Sequence, residues 1–153
     1  MTLRNIDNSK VIPQPGDGNC LFHSISFYLN DQTTAASLRN EVCIWMNVNR
    51  TRNLSHGIPL YEWISYESPD IALNFDDYIA HMSTPRTYGS TIELRCISLM
   101  KMINIHVYQR FGNEYKVIEE HNCATSLDKY QTIHLLYVKK IRHYEVLLFN
   151  EGM

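Results

Sequence analysis

Apolar positions recur every three or four residues through the first two-thirds of this chain and every second residue towards its end. Leu21, Phe22, Ile25 and Leu29 keep helical spacing just after the turn Pro15-Gly16-Asp17-Gly18-Asn19, which predicts a helix over about 20–29. Thr34 is placed to cap a second helix in which Leu38, Val42, Trp45 and Met46 share a face. The stretch 59–69 reads as aromatic and irregular. Two further helices are predicted, a short one over 74–82 and a better one over 91–101, with Leu94, Ile97, Leu99 and Met102 apolar. The period then changes to two. Strands are expected over 103–108 and 115–119, separated by the turn Phe111-Gly112-Asn113. Two more apolar runs, 133–138 and 144–149, flank Lys139-Lys140-Ile141-Arg142-His143 and form a hairpin of central strands. Helices first and strands last imply an α+β fold rather than a doubly wound parallel one.

Composition narrows the classes. At 153 residues, 44% hydrophobic and 20% charged, the chain can bury a real core, and it contains no repeat or long linker, so one domain over 1–153 is expected. A net charge of −2 argues against a nucleic-acid binder held by a broad basic face. No apolar run approaches the roughly 20 residues needed to cross a bilayer, and the polar start MTLRNIDNSK lacks the apolar stretch of a signal peptide. An intracellular, cytoplasmic protein is expected. The four cysteines form no C-x-x-C pair and are widely spaced, which points to free thiols rather than a zinc ribbon, a redox motif or a disulfide scaffold. No set of metal ligands has suitable spacing, so neither metal nor cofactor is expected. Between Arg52 and Arg86 there is no Lys or Arg, yet Glu62, Glu67, Asp70, Asp76 and Asp77 all lie there. A solvated face is the default reading, and an acidic dock for a basic partner is the functional one.

Chemistry concentrates at Pro15-Gly16-Asp17-Gly18-Asn19-Cys20-Leu21-Phe22. Two glycines allow a tight turn that other residues adopt at a cost. A cysteine at the end of that turn and the start of a helix sits at the positive end of the helix dipole, which is expected to lower its pKa. Backbone N–H groups there can also face an incoming carbonyl. Cys43 and Cys96 fall inside helical patterns as small core residues, and Cys123 lies in a polar loop. Seven histidines compete to be the base. His106 and His134 lie in strands, His23 follows the nucleophile by three residues on its helix, and His56, His81 and His121 read as surface residues. His143 begins an apolar strand at the mouth of a hairpin, with Glu145 two residues on and so on the same side. A carboxylate there can hold an imidazole in one tautomer. Periodicity alone leaves His143 only modestly ahead of its rivals.

Three motifs together resemble the ovarian-tumour (OTU) family of cysteine proteases. Asp17-Gly18-Asn19-Cys20-Leu21-Phe22 is similar to that family's nucleophile motif. Tyr88-Gly89-Ser90-Thr91-Ile92-Glu93-Leu94, followed by Ile105-His106-Val107-Tyr108, resembles its second motif. His143-Tyr144-Glu145-Val146 resembles its third, and all three occur in the family's order between about residues 11 and 149. The compact size and the short segment before the nucleophile suit a viral or mobile-element origin.

The resemblance implies a papain-like α+β fold, with helices flanking a small, mostly antiparallel sheet. It implies Cys20 as nucleophile, His143 as general base and Asp17 beside the oxyanion hole. Glu145 stands where the family usually has Asp or Asn. Being one methylene longer, it orients His143 through a shifted backbone, through water, or not at all. Tyr88 and Gly89 are expected to line a channel for the substrate tail. The implied activity is deubiquitination by a monomer, with ubiquitin or polyubiquitin as partner and neither nucleic acid nor membrane involved. The alternatives are a non-catalytic ubiquitin-binding module and a protease acting on a ubiquitin-like modifier or a polyprotein.

Overall fold

A computed structural model describes residues 3–29, 31–67 and 74–150. Its elements run β1 (Leu3–Asn5), β2 (Ser9–Ile12), α1 (Cys20–Tyr28), α2 (Ala35–Val48), β3 (Asn53–Ser55), β4 (Ile58–Pro59), α3 (Leu60–Glu67) and α4 (Phe75–Met82). They continue with α5 (Thr91–Lys101), β5 (Asn104–Phe111), β6 (Glu114–His121), β7 (Thr132–Val138) and β8 (His143–Phe149). The expected α+β class holds, and the four expected helices form, with α3 as a fifth.

Local chemistry sets the helix ends. Thr34 caps α2: its Oγ1 accepts from Ser37 N at 3.1 Å while Ser37 Oγ accepts from Thr34 N at 2.9 Å. Asn74 caps α4 through Asp77 N at 2.8 Å. Ser90 and Glu93 form a capping box at the start of α5. That helix ends at Met102, whose left-handed backbone (φ 55) turns its side chain to solvent, so Met102 does not extend the buried face as its spacing suggested. The irregular reading of 59–69 is corrected by α3. Only Leu60 and Ile64 are buried there, one turn apart, too few to mark a helix against the surrounding aromatics. Pro69 lies outside the described residues.

The sheet has the order β1-β6-β5-β7-β8-β2, with β5 and β7 parallel and the other pairs antiparallel. β7 and β8 form the expected hairpin. β1 and β2 are absent from the sequence reading, because this polar segment carries too few apolar residues to alternate. Together they span ten residues, yet β1 pairs with one edge of the sheet and β2 with the other. So short a segment can reach both edges only if the sheet curls strongly. α1 and α5 lie against the sheet, and buried residues of all five helices join Ile105, Val107, Ile133 and Leu135 in one core. Tyr108, Tyr115, Leu136 and Leu147 form a smaller cluster on the other face. Among the described residues no helix is long and apolar enough to cross a membrane.

Candidate active site

The loop before α1 is pressed against residues 86–87. Gly18 has φ +86, and a Cβ there would lie 1.9 Å from Arg86 O, so only glycine fits. Asn19 Oδ1 accepts from Arg86 N at 3.0 Å and from Arg39 Nη2 at 2.7 Å. Cys20 then opens α1, and one stripe of that helix ties it to β8 and β7. Tyr144 N donates to Cys20 Sγ at 3.4 Å, and Ser24 Oγ donates to Tyr144 O at 3.2 Å. A turn later Tyr28 donates to Leu147 O and, at 3.2 Å, to His134 O. The spacing 20, 24, 28 is one helical face, and it seats the thiol beside the first residues of β8.

His143 is buried at the first position of β8, opposite Val138. Its Nε2 lies 3.6 Å from Glu145 Oε2, an ion-pair distance beyond hydrogen-bonding range. The other ring nitrogen faces the nucleophile loop, since a Cβ built on Gly16 would sit 3.9 Å from Nδ1. The ring thus has Glu145 on one edge and Gly16 of the loop on the other.

The thiol departs from the expectation of a lowered pKa. Burial pushes Cys20 up, and this outweighs the opposing N–H groups of Tyr144, Leu21 and Cys20 itself. The helix start supplies donors, but they do not offset the burial of a nearly inaccessible sulfur. Asp17 is exposed and acts as a turn former: its Oδ1 accepts from Asn19 N at 3.0 Å, which holds its carboxyl below the usual range. Its Oδ2 lies 3.9 Å from His23 Nε2, so His23 faces Asp17.

Tyr88 and Gly89 line a cleft with Ser90, Thr91, Ile118, Glu119, Tyr137, Arg142 and Tyr144. Tyr144 joins this cleft to the thiol. Arg142 sits 5.3 Å over the Tyr88 ring. The carboxylate in the cleft is Glu119, not a residue of the acidic stretch. Burial alone would raise Glu119, but hydrogen bonds from His121 Nε2 at 3.0 Å and Thr91 Oγ1 at 2.8 Å hold it below its ordinary value. Glu67, Asp76 and Asp77 are exposed, with Asp76 paired to Arg50 at 2.9 Å, while Asp70 lies outside the described residues.

Other expectations divide. His134 is buried, accepts or donates at Tyr108 Oη (3.0 Å) and is pushed down to about 4 by burial and by the charges of Arg4 and His106. His56 and His81 are exposed. His121 is corrected: it ends β6 and is buried against Glu119 rather than lying on the surface. Cys43 and Cys96 are core residues in α2 and α5, and all four cysteines are free. Arg39, Asn19 and Glu119 were missed. Arg39 had a signal, being a charge set into the apolar stripe of Leu38, Val42, Cys43 and Met46.

Residues 15–144 match the OTU-like cysteine protease family. A protein of Tipula iridescent virus named as a ubiquitin thioesterase is 30% identical over 122 residues, covering 74% of this chain but 14% of that protein. The viral OTU domain protease from Qalyub virus superimposes with a TM-score of 0.71 at 14% identity, covering 97% of this chain and 89% of its own. The Hazara virus OTU, solved bound to ubiquitin, gives 0.67 at 18% identity, over 96% and 88%. The chain belongs to the OTU-like cysteine protease family.

Proposed function

We propose that this chain is a deubiquitinase, a cysteine isopeptidase that hydrolyses the bond between the carboxyl-terminal glycine of ubiquitin and a lysine. The observation that carries the proposal is the seating of Cys20 Sγ on Tyr144 N at 3.4 Å, the residue that follows a buried His143 whose Nδ1 faces Gly16 and whose Nε2 lies 3.6 Å from Glu145. Membership of a cysteine protease family supports the reaction class, and a relative bound to ubiquitin supports the substrate.

In this mechanism His143 takes the proton of Cys20 through Nδ1, while Glu145 stabilises the imidazolium from the Nε2 side. The thiolate attacks the glycine carbonyl carbon, and the C=O electrons move to oxygen. Backbone N–H groups at the start of α1 and in the turn shaped by Asp17 hold that oxyanion. The intermediate collapses, His143 protonates the departing lysine amine, and a thioester remains on Cys20. Water, deprotonated by His143, attacks the thioester and frees the ubiquitin carboxylate and the thiol. The tail reaches Cys20 along the cleft of Tyr88 and Gly89, where Glu119 offers a carboxylate to its basic side chains. Free thiols and a ubiquitin substrate both fit a cytoplasmic setting.

The test is hydrolysis of a panel of the eight di-ubiquitin linkages by the wild-type chain and by Cys20→Ala. Cleavage of at least one linkage by the wild type and none by the variant is expected. No cleavage of any linkage, with ubiquitin still bound, would leave a non-catalytic binding module instead.

A further inference from the structure

Asn19 is the N-cap of α1, and asparagine is among the residues most favoured there, because its side-chain oxygen accepts from a first-turn N–H. In this chain that bond is not made. The oxygen is drawn away by Arg39 Nη2 at 2.7 Å and Arg86 N at 3.0 Å. Arg39 reaches it from the middle of the core. Its residue is 4% exposed, and its guanidinium lies 4.4 Å over the Phe22 ring. Its Nη2 also donates to Thr87 O at 2.8 Å and Gly18 O at 3.3 Å, and its Nη1 to Met82 O at 2.9 Å. These acceptors are all neutral. A buried cation whose hydrogen bonds all go to neutral acceptors is costly, and burial pushes its pKa down despite the opposing charges of Glu93 and Asp17. Those oxygens belong either to the nucleophile loop or to the stretch from Met82 to Thr87, whose Arg86 packs against that loop.

We propose that Arg39 is a positioning residue for catalysis: by holding the Asn19 side chain away from α1, it keeps the first-turn N–H groups free for the oxyanion that forms at Cys20. The inference rests on the deubiquitinase reading above. Without the guanidinium, the Asn19 oxygen swings back to cap Leu21 or Phe22 N. It then puts a competing acceptor where negative charge must develop, and it satisfies the donors beforehand. Arg39 acts on the loop and not on the sulfur, so the thiol and His143 keep their relation.

Two reactions at the same sulfur separate these effects. Ubiquitin-ester or ubiquitin-amide hydrolysis passes through an oxyanion. Alkylation by iodoacetamide forms the S–C bond as iodide leaves and develops no oxyanion. In Arg39→Met, kcat for a fluorogenic ubiquitin carboxyl-terminal amide is expected to fall about 10- to 100-fold, below the 10²–10³ that deleting an oxyanion donor costs. KM and the Cys20 alkylation rate should stay within about twofold of wild type. Arg39→Lys, which keeps a cation and one donor, should fall between. Adding Asn19→Ala to Arg39→Met removes the competing oxygen and should raise kcat. Wild-type kcat in both single variants overturns the inference, as does a parallel fall in alkylation or a double variant no faster than Arg39→Met. If Arg39→Met does not fold, judged by its thermal melt, Arg39→Lys carries the same comparison. A wild-type chain inert towards the ubiquitin amide overturns the proposed function, and this inference with it.

Discussion

Cys20 and His143, the proposed nucleophile and base, are held in opposite ways. The loop ahead of Cys20 is fixed by several contacts from distant segments: Arg39 and Arg86 N on Asn19, the close approach of Gly18 to Arg86, and Tyr144 N on the sulfur. His143 has the backbone of β8 behind it, Gly16 beside one edge of its ring and the 3.6 Å approach of Glu145 at the other. The first region resists change because moving any part displaces backbone. The second relies on burial, and a glutamate that falls just short of a hydrogen bond leaves the imidazole room to adjust. Substitutions should therefore hurt the loop structurally and the base chemically.

The largest effect is expected at the base itself. His143→Gln should lower kcat/KM on a ubiquitin substrate by about 10³-fold or more, the upper part of the range for a general base, with little change in thermal midpoint. Unfolding of this variant would mean that the ring is mainly a core residue. On the loop side, Gly18→Ala should cost about 3 kcal/mol of stability from left-handed strain and overpacking, seen as a melt lower by about 6–12 °C. Gly16→Ala, whose Cβ meets only the His143 ring at an ordinary 3.9 Å, should stay within about 0.5 kcal/mol of wild type. Equal effects at the two glycines would erase the contrast.

Smaller effects probe how His143 is oriented and how Cys20 ionises. Glu145→Gln should reduce kcat by about tenfold or less, about 1.4 kcal/mol, because a 3.6 Å ion pair lends charge but no hydrogen bond. A loss as large as that of His143→Gln would show the carboxylate to be an obligatory orienter. Burial holds the Cys20 thiol above its ordinary pKa, so the thiolate fraction at neutral pH is below that of a free thiol and grows as pH rises. Iodoacetamide alkylation of the free enzyme should accordingly keep accelerating through and beyond about pH 8.5. A rate already flat below pH 7 would reveal a preformed thiolate–imidazolium pair.

The sequence was legible where one residue pattern served one purpose. The Thr34 cap and the apolar stripe of α2 marked that helix, and period-two runs marked β5 to β8. The glycine turn and Cys20 could be named because turn chemistry is local, whereas His143, only modestly ahead by register, was named mainly through the resemblance of three short motifs. What stayed hidden depends on distant contacts. The polar strands β1 and β2 exist because the sheet curls to meet them, and α3 shows only two buried positions. The direction of the Cys20 shift follows from burial, which no spacing reports. Arg39 stands out in the sequence only as a charge within the apolar stripe of α2; its role depends on four oxygens from other segments that surround it.

The most direct test of the central claim is reaction with ubiquitin carrying an electrophile at its carboxyl terminus, followed by peptide mapping of the adduct. A single covalent ubiquitin on Cys20, abolished in Cys20→Ala and undiminished in Cys123→Ala, is the expected result. No adduct with the folded wild-type chain, or an adduct on Cys123, would contradict the assignment of Cys20 as the nucleophile of a deubiquitinase.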